Sequence, residues 1–294
     1  MIYYYYGNLK DATTDTGEIN DPGNYKTQYP LSNTNYLSKK LYSYFDDNGT
    51  TGATTSYNMI FYYSDLGSVS TISSFILDVD TLRIQLECNG AEDIGAYYIK
   101  LYGNSSVNFS TAVELASITL SKGSDTGGSG DPVDQTVTTI YTETFTEVSY
   151  RYVWALINFT TTGSDTVDWD VDGKINNIYV GDYIELPSPA FVPYGFTHKV
   201  KSSEAFGGSQ FGIDTQGQRK TWAFKYGGLD NDDKTNIESF DLVNKGGSVP
   251  CYIESLEGST QIIDPHFARV YGGETLQQIA YRVYEMTNNI EEEL

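Results

Sequence analysis

Residues 150–159, Tyr-Arg-Tyr-Val-Trp-Ala-Leu-Ile-Asn-Phe, constrain this chain more than any other stretch. Side chains along a strand alternate between its two faces. Alternation puts Tyr152, Trp154 and Leu156 on one side and Val153, Ile157 and Phe159 on the other. Both faces are apolar, so such a strand must be covered twice. A second segment, residues 174–182, sets Asn176, Ile178 and Val180 against Ile175, Asn177 and Tyr179, and stops at Gly181-Asp182. Two aromatic-rich strands joined by an acidic Gly/Thr/Asp loop describe the late half of a β-sandwich.

The rest of the first two thirds agrees. Strand-like runs at 57–63, 73–77, 83–88, 96–101, 115–121 and 137–145 are separated by Gly, Asn, Asp and Ser, the punctuation of an all-β unit. Residues 122–135 read as a surface loop. Leu186-Pro187-Ser188-Pro189 marks a boundary, because proline cannot donate to a central ladder. Beyond it, residues 197–204 and 219–226 are predicted strands around the turn Phe206-Gly207-Gly208-Ser209, and Lys220, Trp222, Phe224 and Tyr226 share a face. Asp230 opens a predicted helix as N-cap, with Asp232 and Asp233 at its positive end and Ile237, Phe240, Leu242 and Val243 as its apolar stripe. Lys245-Gly246-Gly247 supplies a basic last turn and a glycine cap. Residues 249–255, 266–271 and 277–285 are further strands, and 288–294 a frayed acidic tail.

Tyrosine accounts for 26 residues, and its half-polar ring suits exposed sheet faces and interfaces rather than disorder. Lys+Arg total 18 against Asp+Glu 39, giving −21, and no basic cluster stands out. Nucleic-acid binding, which depends on clustered cations releasing counterions, is therefore not expected. No apolar run approaches the roughly 20 residues that span a bilayer. The opening Met-Ile-Tyr-Tyr-Tyr-Tyr-Gly lacks the pattern of a signal peptide, so a cytoplasmic origin is expected. Cys88 and Cys251 offer neither a disulfide framework nor zinc spacing.

No catalytic constellation is predicted. His198 and His266 stand in strand-like settings without a nucleophile motif and read as structural histidines. The 206–212 segment lacks the Lys-Ser/Thr pair of a phosphate loop. The sharpest chemical motif is Asp168-x-Asp170-x-Asp172-Gly173, alternate carboxylates before a glycine, as in a loop that wraps calcium. Its twelfth position is Tyr179 instead of a bidentate Glu, which excludes an EF-hand. A simple calcium loop and a solvated acidic hairpin both remain, the hairpin carrying more weight, and no cofactor is required. Trp169 on that loop, and one of Tyr97 and Tyr98, are candidate glycan contacts, since sugar sites pair aromatic faces with a few polar groups.

The order of these features resembles a group of bacteriophage tail proteins. The resemblance runs through Tyr29-Pro30-x-Ser-Asn33, Arg151-Tyr152, Ile178-x-Val180-Gly181, Arg219-x-x-Trp222, Leu229-Asp230 and Gly247-x-x-Pro250. It implies a mainly β chain with a discoidin-like (jelly-roll) β-sandwich over 28–186. A smaller β-barrel or sandwich assembly domain with one short helix would follow over 187–294, joined by an N-terminal strand and arm over 1–27. It further implies a non-enzymatic virion structural protein of the distal tail or tail-tip hub, assembled in the host cytoplasm. Such a protein would form a homo-oligomeric ring, contact other tail proteins, and carry an outward sandwich that meets host glycans. Trp222, Phe224, Tyr226, Ile237 and Phe240 are the assembly residues expected on that reading, with a role as intradomain core the weightier alternative for each. A stand-alone carbohydrate-binding module, or accessory domains of a polysaccharide-degrading enzyme, is the competing expectation.

Overall fold

The computed structural model describes residues 1–6, 43–50, 56–89, 94–120, 133–161, 166–189, 194–204, 210–257, 260–271 and 276–293. The described chain is mainly β, and the chain divides into two compact units. One holds Asn8–Asp182, the other Met1–Gly7 with Tyr183–Leu294.

In the unit formed by Asn8–Asp182 the strands are β2 (Ser43–Thr50), β3 (Ser56–Asn89), β4 (Ile94–Asn104), β5 (Val113–Thr119), β6 (Val133–Thr161) and the first part of β7 (Thr166–Leu186). They run in the order β5-β4-β6-β3-β7, with β2 on β7. The separate short strands expected at 57–63, 73–77 and 83–88 are a single 34-residue strand. Its alternation breaks at four register shifts against β6, and these irregularities are what hid its continuity. β3 and β6 form a ribbon that takes part in two layers. Their Ser56–Asp65 and Tyr152–Thr160 portions pair with each other and extend through β4 to β5. Their other portions extend through β7 to β2. Met59, Ile99, Leu101, Ala155 and Ile157 from the first layer meet Phe75, Leu77, Ile84, Val171 and Val180 from the second in one buried core. Two layers closing on a shared core are a β-sandwich.

The ribbon changes layer between Asp65 and Ser70. Gly67 has φ 77°, the left-handed region that glycine enters without cost. Asp65 Oδ1 accepts from Gly67 N at 2.8 Å and from Arg151 Nε at 2.8 Å, and Arg151 Nη2 donates to Oδ2 at 2.8 Å. A bidentate pair therefore pins the bulge from the facing strand.

The second unit contains β1 (Ile2–Tyr6), β8 (Tyr194–Glu204), β9 (Gln210–Leu229), helix α1 (Asn231–Asn244), β10 (Cys251–Glu257), β11 (Thr260–Tyr271), β12 (Gln277–Ala280) and β13 (Val283–Glu292). Strand order is β1-β10-β11-β13-β9-β8, with β12 on β13. Ile2, Tyr4, Phe224, Ile253, Ala268 and Ile290 point into one core, which Ile237 and Phe240 of α1 also enter. The helix begins as expected. Asp230 accepts from Asp232 N and Asp233 N, and Asp233 Oδ2 accepts from Asp230 N at 3.0 Å, a capping box. Its end differs from expectation. Lys245 itself takes the left-handed cap at φ 51°, before Gly246 and Gly247. Gly247 is needed because a Cβ there would lie 2.7 Å from Val270 O. The expected frayed tail is instead the C-terminal half of β13 as far as Glu292, where Asn288 and Ile290 are buried. The turn expected at 206–209 and the surface loop up to residue 132 lie outside the described residues, as does the Tyr29–Asn33 phrase.

Candidate functional site: an aromatic outer face on the sandwich

On β6, Val153, Ala155 and Ile157 face the core, so Tyr152, Trp154 and Leu156 face outward. Residues opposite each other in an antiparallel ladder share a side. Trp154 stands opposite Tyr102 of β4 and Tyr63 of β3. The row continues to Glu114 of β5, opposite Tyr102. In the next row Tyr152 lies between Asn104 and Asp65.

The rings touch. Tyr63 lies 5.4 Å from Trp154 between centroids and 6.3 Å from Tyr152, with the two tyrosine planes only 6° apart. Phe109, delivered by a 3-10 turn, meets Trp154 edge-on at 5.7 Å and Tyr102 at 5.4 Å. That turn is held by Asn108, whose Oδ1 accepts from Ser110 N, and by Asn104, whose Nδ2 donates to Asn108 O and to Thr111 Oγ1 at 2.8 Å each. Trp154 is only 4% exposed beneath its neighbours, whereas Tyr63, Tyr102, Phe109 and Tyr152 are half-buried. The strand is thus covered on both sides, but its outer cover is a layer of aromatic rings.

Polar groups border this layer at two ends. At one, Lys100 Nζ and Tyr102 Oη both donate to Glu114 Oε2, at 2.9 and 3.0 Å. Desolvation, with the Glu114 contact adding to it, pushes the Tyr102 phenol up to about 12. Lys100 Nζ also sits 5.2 Å from the Tyr98 ring centre. At the other end, the Arg151 guanidinium lies 5.0 Å over the Tyr152 ring while it grips Asp65. That grip holds the Asp65 carboxyl below the usual carboxylate range. An apolar ring surface with hydrogen-bonding groups at its margins suits a ligand with one apolar face and polar edges.

The expected metal ligands lie on another strand, β7, and the expected assembly residues in the second unit. Asp168, Asp170 and Asp172 do not form a loop. They lie inside β7, paired on one side with Glu87, Gln85 and Arg83 of β3 and on the other with Thr50, Asn48 and Asp46 of β2. An extended strand rises about 3.3 Å per residue, so their backbones spread over roughly 13 Å, whereas calcium needs its oxygens within about 2.6 Å. Among the described residues no three His, Cys, Asp or Glu side chains form a metal cluster. Asp170 is exposed and Asp172 half-buried on that strand. The side chains of Asp168, Trp169, Tyr97, His198 and Cys88 lie outside the described residues. Tyr98 is half-buried on the outer face, on the same strand and side as Lys100 and Tyr102.

The five expected assembly residues are core. Trp222, Phe224, Tyr226, Ile237 and Phe240 are 5, 0, 1, 6 and 5% exposed and pack into the second unit's interior. They do not line a surface of that unit. His266 is a structural histidine, with Nδ1 3.2 Å from Glu292 Oε1 and its ring 5.0 Å from Trp222. Nothing in the sequence marks Tyr63, Tyr102, Phe109, Tyr152 and Trp154 together as a site. The available signal was Tyr-x-Trp on one face of 150–159, but its partners sit on distant segments.

No family model matches the sequence, and no curated protein matches it. Among solved structures, the chain is similar to a family 29 glycoside hydrolase fucosidase from Ruminococcus gnavus in complex with fucose, at 15% identity and a TM-score of 0.32, covering 61% of this chain and 27% of the fucosidase. It is similar to a chitosan-binding module from a Paenibacillus sp. IK-5 chitosanase/glucanase at 15% identity and a TM-score of 0.29, covering 60% of this chain and 98% of the module. A CBM32 module of a family 31 glycoside hydrolase from Clostridium perfringens is similar at 13% identity and a TM-score of 0.28, covering 60% and 96%. Overlaps this slight bear no weight for function, and the resemblance to tail proteins gains no support from them.

Proposed function

We propose that the chain is a non-catalytic carbohydrate-binding protein whose sandwich receives a glycan on the aromatic outer face of β4, β6 and β3. One observation carries this reading. Tyr63, Tyr102, Phe109 and Tyr152, from separate segments, form a single half-exposed ring surface over Trp154, with charged side chains at both ends. A pyranose ring has an apolar C–H face that lies on such rings, and hydroxyls at its edge that reach the polar margins. The Trp222-Phe224-Tyr226 ribbon lies in the second unit's core. It therefore offers no exposed apolar face in favour of a ring.

The test is a glycan array with the full-length protein, alongside Tyr63→Ala and Tyr152→Ala. Binding of at least one glycan by the wild type, reduced about tenfold or more in each variant with unchanged melting temperature, is the expected result. Glycan binding that both variants retain in full would place the site elsewhere, and no binding across the array would end the proposal.

A further inference from the structure

Resting on the reading of the aromatic face as a glycan platform, we infer that it selects neutral sugars over acidic ones, with Arg151 and Glu114 as the specificity-determining residues. The charged groups around the rings form two closed pairs, Arg151–Asp65 and Lys100–Glu114. Each cation already faces a carboxylate at hydrogen-bonding distance, so neither end presents an unbalanced positive charge.

What the pairs leave open differs between the two ends. Arg151 uses Nε and Nη2 on Asp65, and its Nη1 has no hydrogen-bond partner among the described residues. Its side chain is 40% exposed, so Nη1 is a donor facing solvent beside the Tyr152 ring. Glu114 receives both of its contacts on Oε2, and Oε1 has no hydrogen-bond partner among the described residues. That side chain is 42% exposed, which makes Oε1 an available acceptor at the Tyr102 end.

A donor at one end and a charged acceptor at the other match a ligand that both accepts and donates. Sugar hydroxyls do both. A carboxylate or sulfate only accepts, so at Glu114 it meets like charge with no proton to share, while at Arg151 it can accept from Nη1 only as a hydroxyl would, on a guanidinium whose charge Asp65 already balances. Uronates and sulfated sugars are therefore disfavoured at the Glu114 end and gain no net charge attraction at the Arg151 end.

Titration calorimetry on the full chain tests this. The probes are oligosaccharides of galactose, glucose, mannose and N-acetylglucosamine, each paired with its uronate or sulfated counterpart. At least one neutral probe is expected to bind, and its acidic counterpart tenfold or more weakly. Glu114→Gln, an exposed change, should narrow that gap to about threefold or less, and Arg151→Met should weaken the neutral probe about tenfold. An acidic probe that binds as tightly as its neutral partner, or a gap that Glu114→Gln leaves unchanged, overturns the selectivity. If Tyr152→Ala still abolishes that binding, the platform itself stands. Absence of binding by every probe overturns platform and selectivity together. Should Arg151→Met lose its fold through the corner it clamps, the Glu114→Gln result decides alone.

Discussion

Asp65 does two jobs from one position, fixing the corner of the β3/β6 ribbon and anchoring the guanidinium at the margin of the ring surface. Its carboxyl is held below its ordinary value, chiefly by hydrogen bonding to Arg151. A depressed carboxylate stabilises the fold above its unfolded value near 3.8, and that contribution is lost as pH falls through the folded value. Asp65→Asn should cost about 1 kcal/mol at neutral pH, a modest figure because the guanidinium is partly exposed. The cost should shrink below pH 4, as read by urea unfolding at both pH values. Tyr4 makes a comparable test in the other unit. Its hydroxyl lies 2.7 Å from that of Tyr226 and accepts from Asn288 Nδ2 at 3.3 Å, all buried. Tyr4→Phe leaves two buried polar groups short of a partner and should cost about 1–3 kcal/mol in the same assay.

At the scale of elements, helix α1 and strand β3 show what the sequence can and cannot display. The helix was legible at its start because its signals are local: Asp230 and Asp233 three residues apart, then Ile237 and Phe240 on one face. Asp230→Ala should cost about 1 kcal/mol and Phe240→Ala about 3–5 kcal/mol, since one removes a cap and the other opens a cavity. Equal effects in thermal unfolding would contradict that division. The strand was not legible as one element, because each bulge resets the period-2 pattern and turn residues such as Gly67 look like breaks. The acidic motif shows the converse. Asp168-x-Asp170-x-Asp172 has loop spacing, but β2 and β3 claim its backbone from both sides and hold it extended. Adding calcium or a chelator should leave the melting temperature unchanged within about 1 °C.

For the whole molecule, the sequence displayed a mainly β chain but concealed where its chemistry would gather. Tyr63, Tyr102 and Trp154 are brought into one row by two ladders whose register depends on tertiary pairing, and no spacing in the chain encodes that meeting. The Trp222-Phe224-Tyr226 ribbon was legible as an apolar face, but whether it met a copy or its own core depended on elements as remote as β1. Ile2 and Tyr4 of that strand are buried in the second unit's core, where each contributes about 1.5–3 kcal/mol. A fragment of residues 183–294 without β1 should therefore lack a cooperative transition by differential scanning calorimetry. Joining residues 1–7 to it should restore one. Whether the ring surface of β3, β4 and β6 holds sugar is open to direct measurement. Titration of the best-binding glycan into wild type and into the Tyr63→Ala/Tyr152→Ala double variant decides it. A loss of about a hundredfold in affinity with the sandwich still folded is the predicted result, and equal affinity in the two proteins would contradict it.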